Sequence, residues 1–218
     1  LNLTHRDSDE NPSELEPGKK YKVKVAMNYI AQRFPRGHQL RLAISTSYWP
    51  LTWPSPEPVR LTIHPGESSF LVPERSKGLD QNDLRDLDTH ELTEGMKTTT
   101  FIPAHREWKV EHDLANNEVS LNVVNNDAKY RLDDINWTIQ KKVQERYSYK
   151  NNNYNTVRGE VKSERTFERD DWFVKTITRT VLTSTRTHFI IRATLDAYHG
   201  DVRVFSKSWD EQIKRDLL

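Results

Sequence analysis

The residues that come nearest to a catalytic arrangement are Gly66-Glu67-Ser68-Ser69. A serine nucleophile of the α/β-hydrolase kind sits on a crowded strand-to-helix turn, where glycines must flank it in a Gly-x-Ser-x-Gly pattern. Here the second glycine is missing and no helical periodicity follows, so the segment reads as a turn between strands. Metal chemistry has little to work with, because the eight histidines are scattered and there is no cysteine. In the densest cluster, His105 to His112, a strand places His105, Glu107 and Glu111 on one face and His112 on the other, so the four do not converge on an ion. The acidic pairs Asp133-Asp134, Asp170-Asp171 and Asp210-Glu211 are adjacent and fall at turns or strand ends, where general acid-base work has no cleft. No catalytic residue, metal ligand or cofactor is therefore expected.

Binding chemistry is better represented. Tyr48-Trp49-Pro50-Leu51-Thr52-Trp53-Pro54-Ser55-Pro56-Glu57-Pro58 carries four prolines between positions 50 and 58, each fixing φ and removing a backbone donor, so the segment is an ordered loop and not an interior strand. Tyr48, Trp49 and Trp53, with Pro54 and Pro56, form a stiff aromatic surface of the kind enriched at interface hot spots. Two roles remain open for the rings: a plug at one end of a β-sandwich, or a contact surface for another domain. His38, just after the turn glycine Gly37, is a further candidate contact.

Those residues must be positioned by strands. Tyr21, Val23, Val25 and Met27 alternate with Lys20, Lys22, Lys24 and Ala26, the period of a half-buried strand. Leu40, Leu42 and Ile44 make a second apolar face, and Val59, Leu61 and Ile63 a third. A polar, acidic connector is expected over 76–98. Beyond it come seven longer stretches: Thr99 to Glu111, Glu118 to Val124, Ile135 to Tyr149, Thr156 to Arg169, Trp172 to Leu182, His188 to Ala197 and Val202 to Ile213. Their brief polar breaks at 151–153, 169–171, 184–186 and 199–201 predict a long-stranded antiparallel meander over 99–218, oily on one face and wet on the other. With seven glycines in 218 residues, Asn and Asp must make many of the turns. The expected fold is all-β: a jelly-roll-like sandwich part over 1–75, with the meander packed on it.

Composition narrows the partners. Hydrophobic residues are 34% and charged residues 30%, as in sheets with one wet face. A formal charge of +1 offers no field for nucleic acid or an anionic membrane, and no apolar run approaches the roughly 20 residues of a membrane span. With no cysteine and no leader pattern, a cytoplasmic location is the default expectation.

The stretch from Phe34-Pro35-Arg36-Gly37-His38 through Leu40-Arg41-Leu42-Ala43-Ile44-Ser45-Thr46-Ser47-Tyr48-Trp49-Pro50 resembles the C-terminal non-catalytic β-domain of the cocaine-esterase and X-Pro dipeptidyl-peptidase class of serine hydrolases. The opening Leu1-Asn2-Leu3-Thr4-His5-Arg6-Asp7-Ser8, the turn Leu15-Glu16-Pro17-Gly18, and the ending from Asp196-Ala197-Tyr198-His199-Gly200-Asp201 to Arg215-Asp216-Leu217 are similar too, extending the resemblance over nearly the whole chain. It implies a jelly-roll fold and a parent protein whose triad precedes Leu1. It also implies a catalytic α/β-hydrolase domain of the same parent as partner, whose peptidase, esterase or acylase activity is set by residues outside this sequence. In that family Leu1 would fall partway through the jelly roll, which predicts an unpaired sheet edge and a homo-oligomer formed through it. The alternative, of a different class, is a free-standing carbohydrate-binding module that stacks a sugar on Tyr48, Trp49 and Trp53.

Overall fold

Alternation of apolar and polar residues along the second half of the chain builds one antiparallel sheet. The computed structural model describes residues 1–74 and 93–218. Nine strands lie in order: β1 (Thr98–Ile102), β2 (His105–Asp113), β3 (Glu118–Asn126), β4 (Lys129–Leu132), β5 (Trp137–Lys150), β6 (Asn153–Arg169), β7 (Trp172–Ser184), β8 (His188–His199) and β9 (Val202–Lys214). Strand accounts for 48% and helix for 4% of the structure, the helix among the described residues being three-residue 3-10 turns, so the all-β class stands. β5 to β9 form the expected meander. Pro103 divides the stretch from Thr99 to Glu111 into β1 and β2, as a residue without an N–H does in a ladder; β4 carries no signal long enough to read. One edge of β5 is shared, with β4 paired to its first residues and β3 to its last. The connector expected over 76–98 falls mostly outside the described residues.

The turns follow the scarcity of glycine. Asn151 and Asn152, at φ 52° and 51°, form the two-residue link between Lys150 and Asn153, and positive φ at both central positions matches the twist of a hairpin. Asn117, Asn136 and Asp170 also adopt positive φ, and Gly200 serves the last hairpin.

Register separates the two faces. Cross-strand partners place Tyr147, Gly159 and Leu182 in one row, continued by Ile191 on β8; Val143, Val161, Phe189 and Leu195 share that oily face by alternation. The opposite face carries Gln140, Arg146, Glu160, Lys162 and Arg179. There Glu160 meets Arg179 and Arg158 at 2.7 Å each, and its carboxyl is held down at about 2, mainly by the Arg179 hydrogen bond against the push of burial, then by Arg158. A carboxylate whose folded pKa is depressed stabilises the fold fully above its unfolded value, here 4.5, and loses that contribution as pH falls toward 2. Denaturation midpoints measured across this window are expected to fall more steeply for the native protein than for Glu160→Gln. Equal slopes would remove Glu160 from the account.

The first third departs from expectation. Residues 20–27, 40–44 and 59–63 form no strand, and from Lys20 to Phe34 no backbone–backbone hydrogen bond is made among the described residues. Val23, Val25, Met27, Leu40, Leu42, Ile44, Val59, Leu61 and Ile63 are between 39% and 59% exposed. The physical reason is that alternation encodes a strand with one buried face but does not supply the neighbour that pairs with it. Among the described residues the meander is therefore covered not by paired strands of this segment but by the Trp49–Trp53 loop.

Candidate functional site

The tight geometry of the proline-rich loop begins with a backbone turn, Thr52 N–H donating to Tyr48 O at 2.9 Å. This brings Trp49 and Trp53 into an edge-to-face pair with centroids 4.9 Å apart. Both rings then reach the oily face of the sheet. Trp49 stands edge-on to Tyr147 of β5 at 5.9 Å, and both rings come close to Gly159 of β6, where a Cβ would lie 3.5 Å from Tyr147 and 4.0 Å from Trp49. Trp53 stands edge-on to Phe189 of β8 at 5.9 Å and donates its indole N–H to Ser184 Oγ at 2.9 Å. Such aromatic pairs contribute about 0.5–1.5 kcal/mol each beyond their buried area.

Arg215 locks the loop in place. It is 4% exposed and donates to Pro54 O at 2.5 Å, Thr185 O at 3.1 Å and Leu218 O at 2.7 Å, with its guanidinium 5.0 Å from the Phe189 ring centroid. Burial pushes its pKa below the usual value, yet an arginine remains protonated. The charge is met by the backbone oxygens of Pro54, Thr185 and Leu218, and no Asp or Glu side chain pairs with it among the described residues. Nearby, Arg186 pairs with Glu57 of the loop. Thr4 Oγ1 donates to Leu217 O at 2.8 Å, and the His5 ring lies 3.1 Å from Asp216 O. The opening, the proline-rich loop and the ending thus meet at one end of the sheet.

Trp49, Trp53 and Pro54 are therefore held against the meander, with Pro54 buried and Trp49 and Trp53 half-buried. Tyr48 is 67% exposed, and Pro56 is half-buried. His38 is exposed in a separate turn, its N–H donating to Pro35 O at 3.2 Å, and it makes no hydrogen bond to the loop. Sequence reasoning missed Tyr147, Ser184, Phe189 and Arg215. Extending the alternation of their strands would have put Tyr147 and Phe189 on oily faces, but nothing local marks Arg215 as a clamp.

Beside the loop lies a cavity of about 400 Å³, lined by Ser47, Tyr48, Trp49 and Pro54 on one side and by Tyr149, Asn152, Asn153, Tyr154 and Val157 of the β5–β6 hairpin on the other. In Tyr147, against which Trp49 packs, burial first, and its 2.5 Å hydrogen bond to Glu145 second, push the phenol up to about 12, so it stays neutral. Among the described residues no group of three or more His, Asp or Glu side chains is placed to hold a metal ion. No described helix is long and apolar enough to cross a membrane.

Comparison with curated proteins and with solved structures brought no match. Residues 1–107 match the family model described as the X-Pro dipeptidyl-peptidase C-terminal non-catalytic domain. The match covers the opening, the Pro17-Gly18 turn and the whole aromatic loop, but ends within β2, short of the near-complete coverage that the ending suggested. Over residues 1–107 this chain is thus similar to the family of X-Pro dipeptidyl-peptidase C-terminal non-catalytic domains.

Proposed function

We propose that this chain is the non-catalytic β-domain of a serine hydrolase, packing on that enzyme's catalytic α/β domain and shaping its substrate site. The observation that carries the reading is the set of exposed apolar side chains at 23–27, 40–44 and 59–63, inside the family-matched half and with no strand pairing of their own. Scattered exposed hydrophobics mean little, but three alternating rows in one region are the composition of a buried contact. The catalytic domain is the partner that the family description implies. Nucleophile, base and oxyanion donors then belong to that domain, and this one contributes cover and shape. Trp49 and Trp53 support the contact indirectly, by fixing the loop on which Tyr48 and Leu51 are exposed.

Incubated with p-nitrophenyl esters and Xaa-Pro chromogenic amides, the chain is expected to give buffer rates. A fluorophosphonate probe should label the catalytic domain of the parent and no serine here. Labelling of any serine in the intact chain, Ser68 included, would contradict the reading.

A further inference from the structure

We propose that the cavity between the aromatic loop and the β5–β6 hairpin binds a neutral carbohydrate. The site is built by a break in the sheet. Ser148 pairs with Arg158 and Lys150 with Asn153, so four residues of β6 face the single residue Tyr149 of β5, and the two strands part. Thr156 bridges the gap, its hydroxyl 2.8 Å from Lys150 N, 3.1 Å from Lys150 O and 2.6 Å from Asn153 O. An irregularity of this kind re-aims side chains, and such features concentrate at functional sites. Here it turns Tyr149 and Tyr154 toward the loop that presents Tyr48 and Trp49.

The lining selects the ligand class. Four aromatic rings offer electron-rich faces to the C–H groups of a pyranose, while tyrosine hydroxyls, Ser47 and the Asn152 amide offer donors and acceptors to its hydroxyls. None of the lining side chains is charged, and recognition of phosphate or carboxylate characteristically uses Arg or Lys. A purely apolar ligand would leave the amide and hydroxyl groups unmatched. The volume lies toward the lower end of the ~300–1,000 Å³ typical of small-molecule sites. Trp53, turned into the sheet, takes no part, so the sugar platform is Tyr48, Trp49, Tyr149 and Tyr154. The three apolar rows at 23–27, 40–44 and 59–63 that carry the docking reading do not line the site, so the two are tested separately although both use the loop that bears Tyr48.

The test is titration of the whole chain with cellobiose, maltose and N,N′-diacetylchitobiose, read by tryptophan fluorescence and by calorimetry. Saturable binding of at least one disaccharide is expected. Tyr154→Ala should weaken it by about tenfold, the equivalent of one lost stacking contact, while Tyr154→Phe keeps most of it and Trp108→Ala, on an exposed strand elsewhere, leaves it unchanged. Circular dichroism of each variant separates lost binding from lost fold. No saturation up to 20 mM with all three sugars, tighter binding of adenosine or glucose 6-phosphate, or unaltered affinity in a folded Tyr154→Ala would each overturn the proposal.

Discussion

Arg215→Met is expected to release the aromatic loop from the sheet. Methionine keeps much of the unbranched stem but donates nothing, so Pro54 O loses its partner in a buried place where water does not easily replace it, while Thr185 O and Leu218 O lose theirs nearer to solvent. Leaving buried acceptors unsatisfied costs about 1–3 kcal/mol each, and bonds from a charged donor fall at the upper end. Part of that cost is recovered when the loop moves out to water, so the expected loss is about 2–4 kcal/mol. Trp49 and Trp53 would then leave Tyr147 and Phe189, and tryptophan emission should shift to the red while the strand signal in circular dichroism persists. Ser184→Ala, which removes the acceptor for the Trp53 indole, should show a weaker form of the same change. An unchanged spectrum and denaturation midpoint in Arg215→Met would mean that the loop is held by something other than this clamp.

Alone in solution, the chain is expected to self-associate. Full burial of a Val, Leu or Ile side chain contributes about 1.5–3 kcal/mol. The nine apolar residues at 23–27, 40–44 and 59–63 are roughly half exposed, so covering them is worth on the order of 10 kcal/mol, comparable with the ~5–15 kcal/mol that stabilises a whole domain. Backbone groups from Lys20 to Phe34, which make no backbone–backbone hydrogen bond among the described residues, add a template for pairing with a second copy. Sedimentation velocity should show oligomers that grow with concentration, and a Val25→Lys, Leu42→Lys, Leu61→Lys triple variant should return the chain to a monomer. A native chain that stays monomeric at high concentration would show that these rows need no cover.

The meander was legible because its signal is local. β5 to β9 run over 12–17 residues each, alternation is clear along β5 and β8, and short polar breaks separate the strands, so both the elements and the oily face could be read from residue order. The aromatic loop was legible for a similar reason, since four prolines exclude a strand. What could not be read was who meets whom. Arg215 lies 161 positions from Pro54, and a single arginine after a strand has no local mark of burial. Tyr149 and Tyr154 looked like ordinary strand residues until the irregular pairing at Ser148 and Lys150 turned them into one wall of a cavity. The expected strands at 20–27, 40–44 and 59–63 show the converse: their alternation is clear, but a strand exists only beside a partner.

Hydrogen–deuterium exchange, performed on the chain alone and on the chain within the proposed parent hydrolase, tests the central claim most directly. Amides at Lys20–Met27, Leu40–Ile44 and Val59–Ile63 should exchange within seconds in the dilute isolated chain, while those of β6 to β8 are protected in both forms. In the parent, the three segments should gain protection by at least tenfold, as docking on the catalytic domain covers them and completes their pairing. Exchange in these segments that stays fast in the parent would contradict the account.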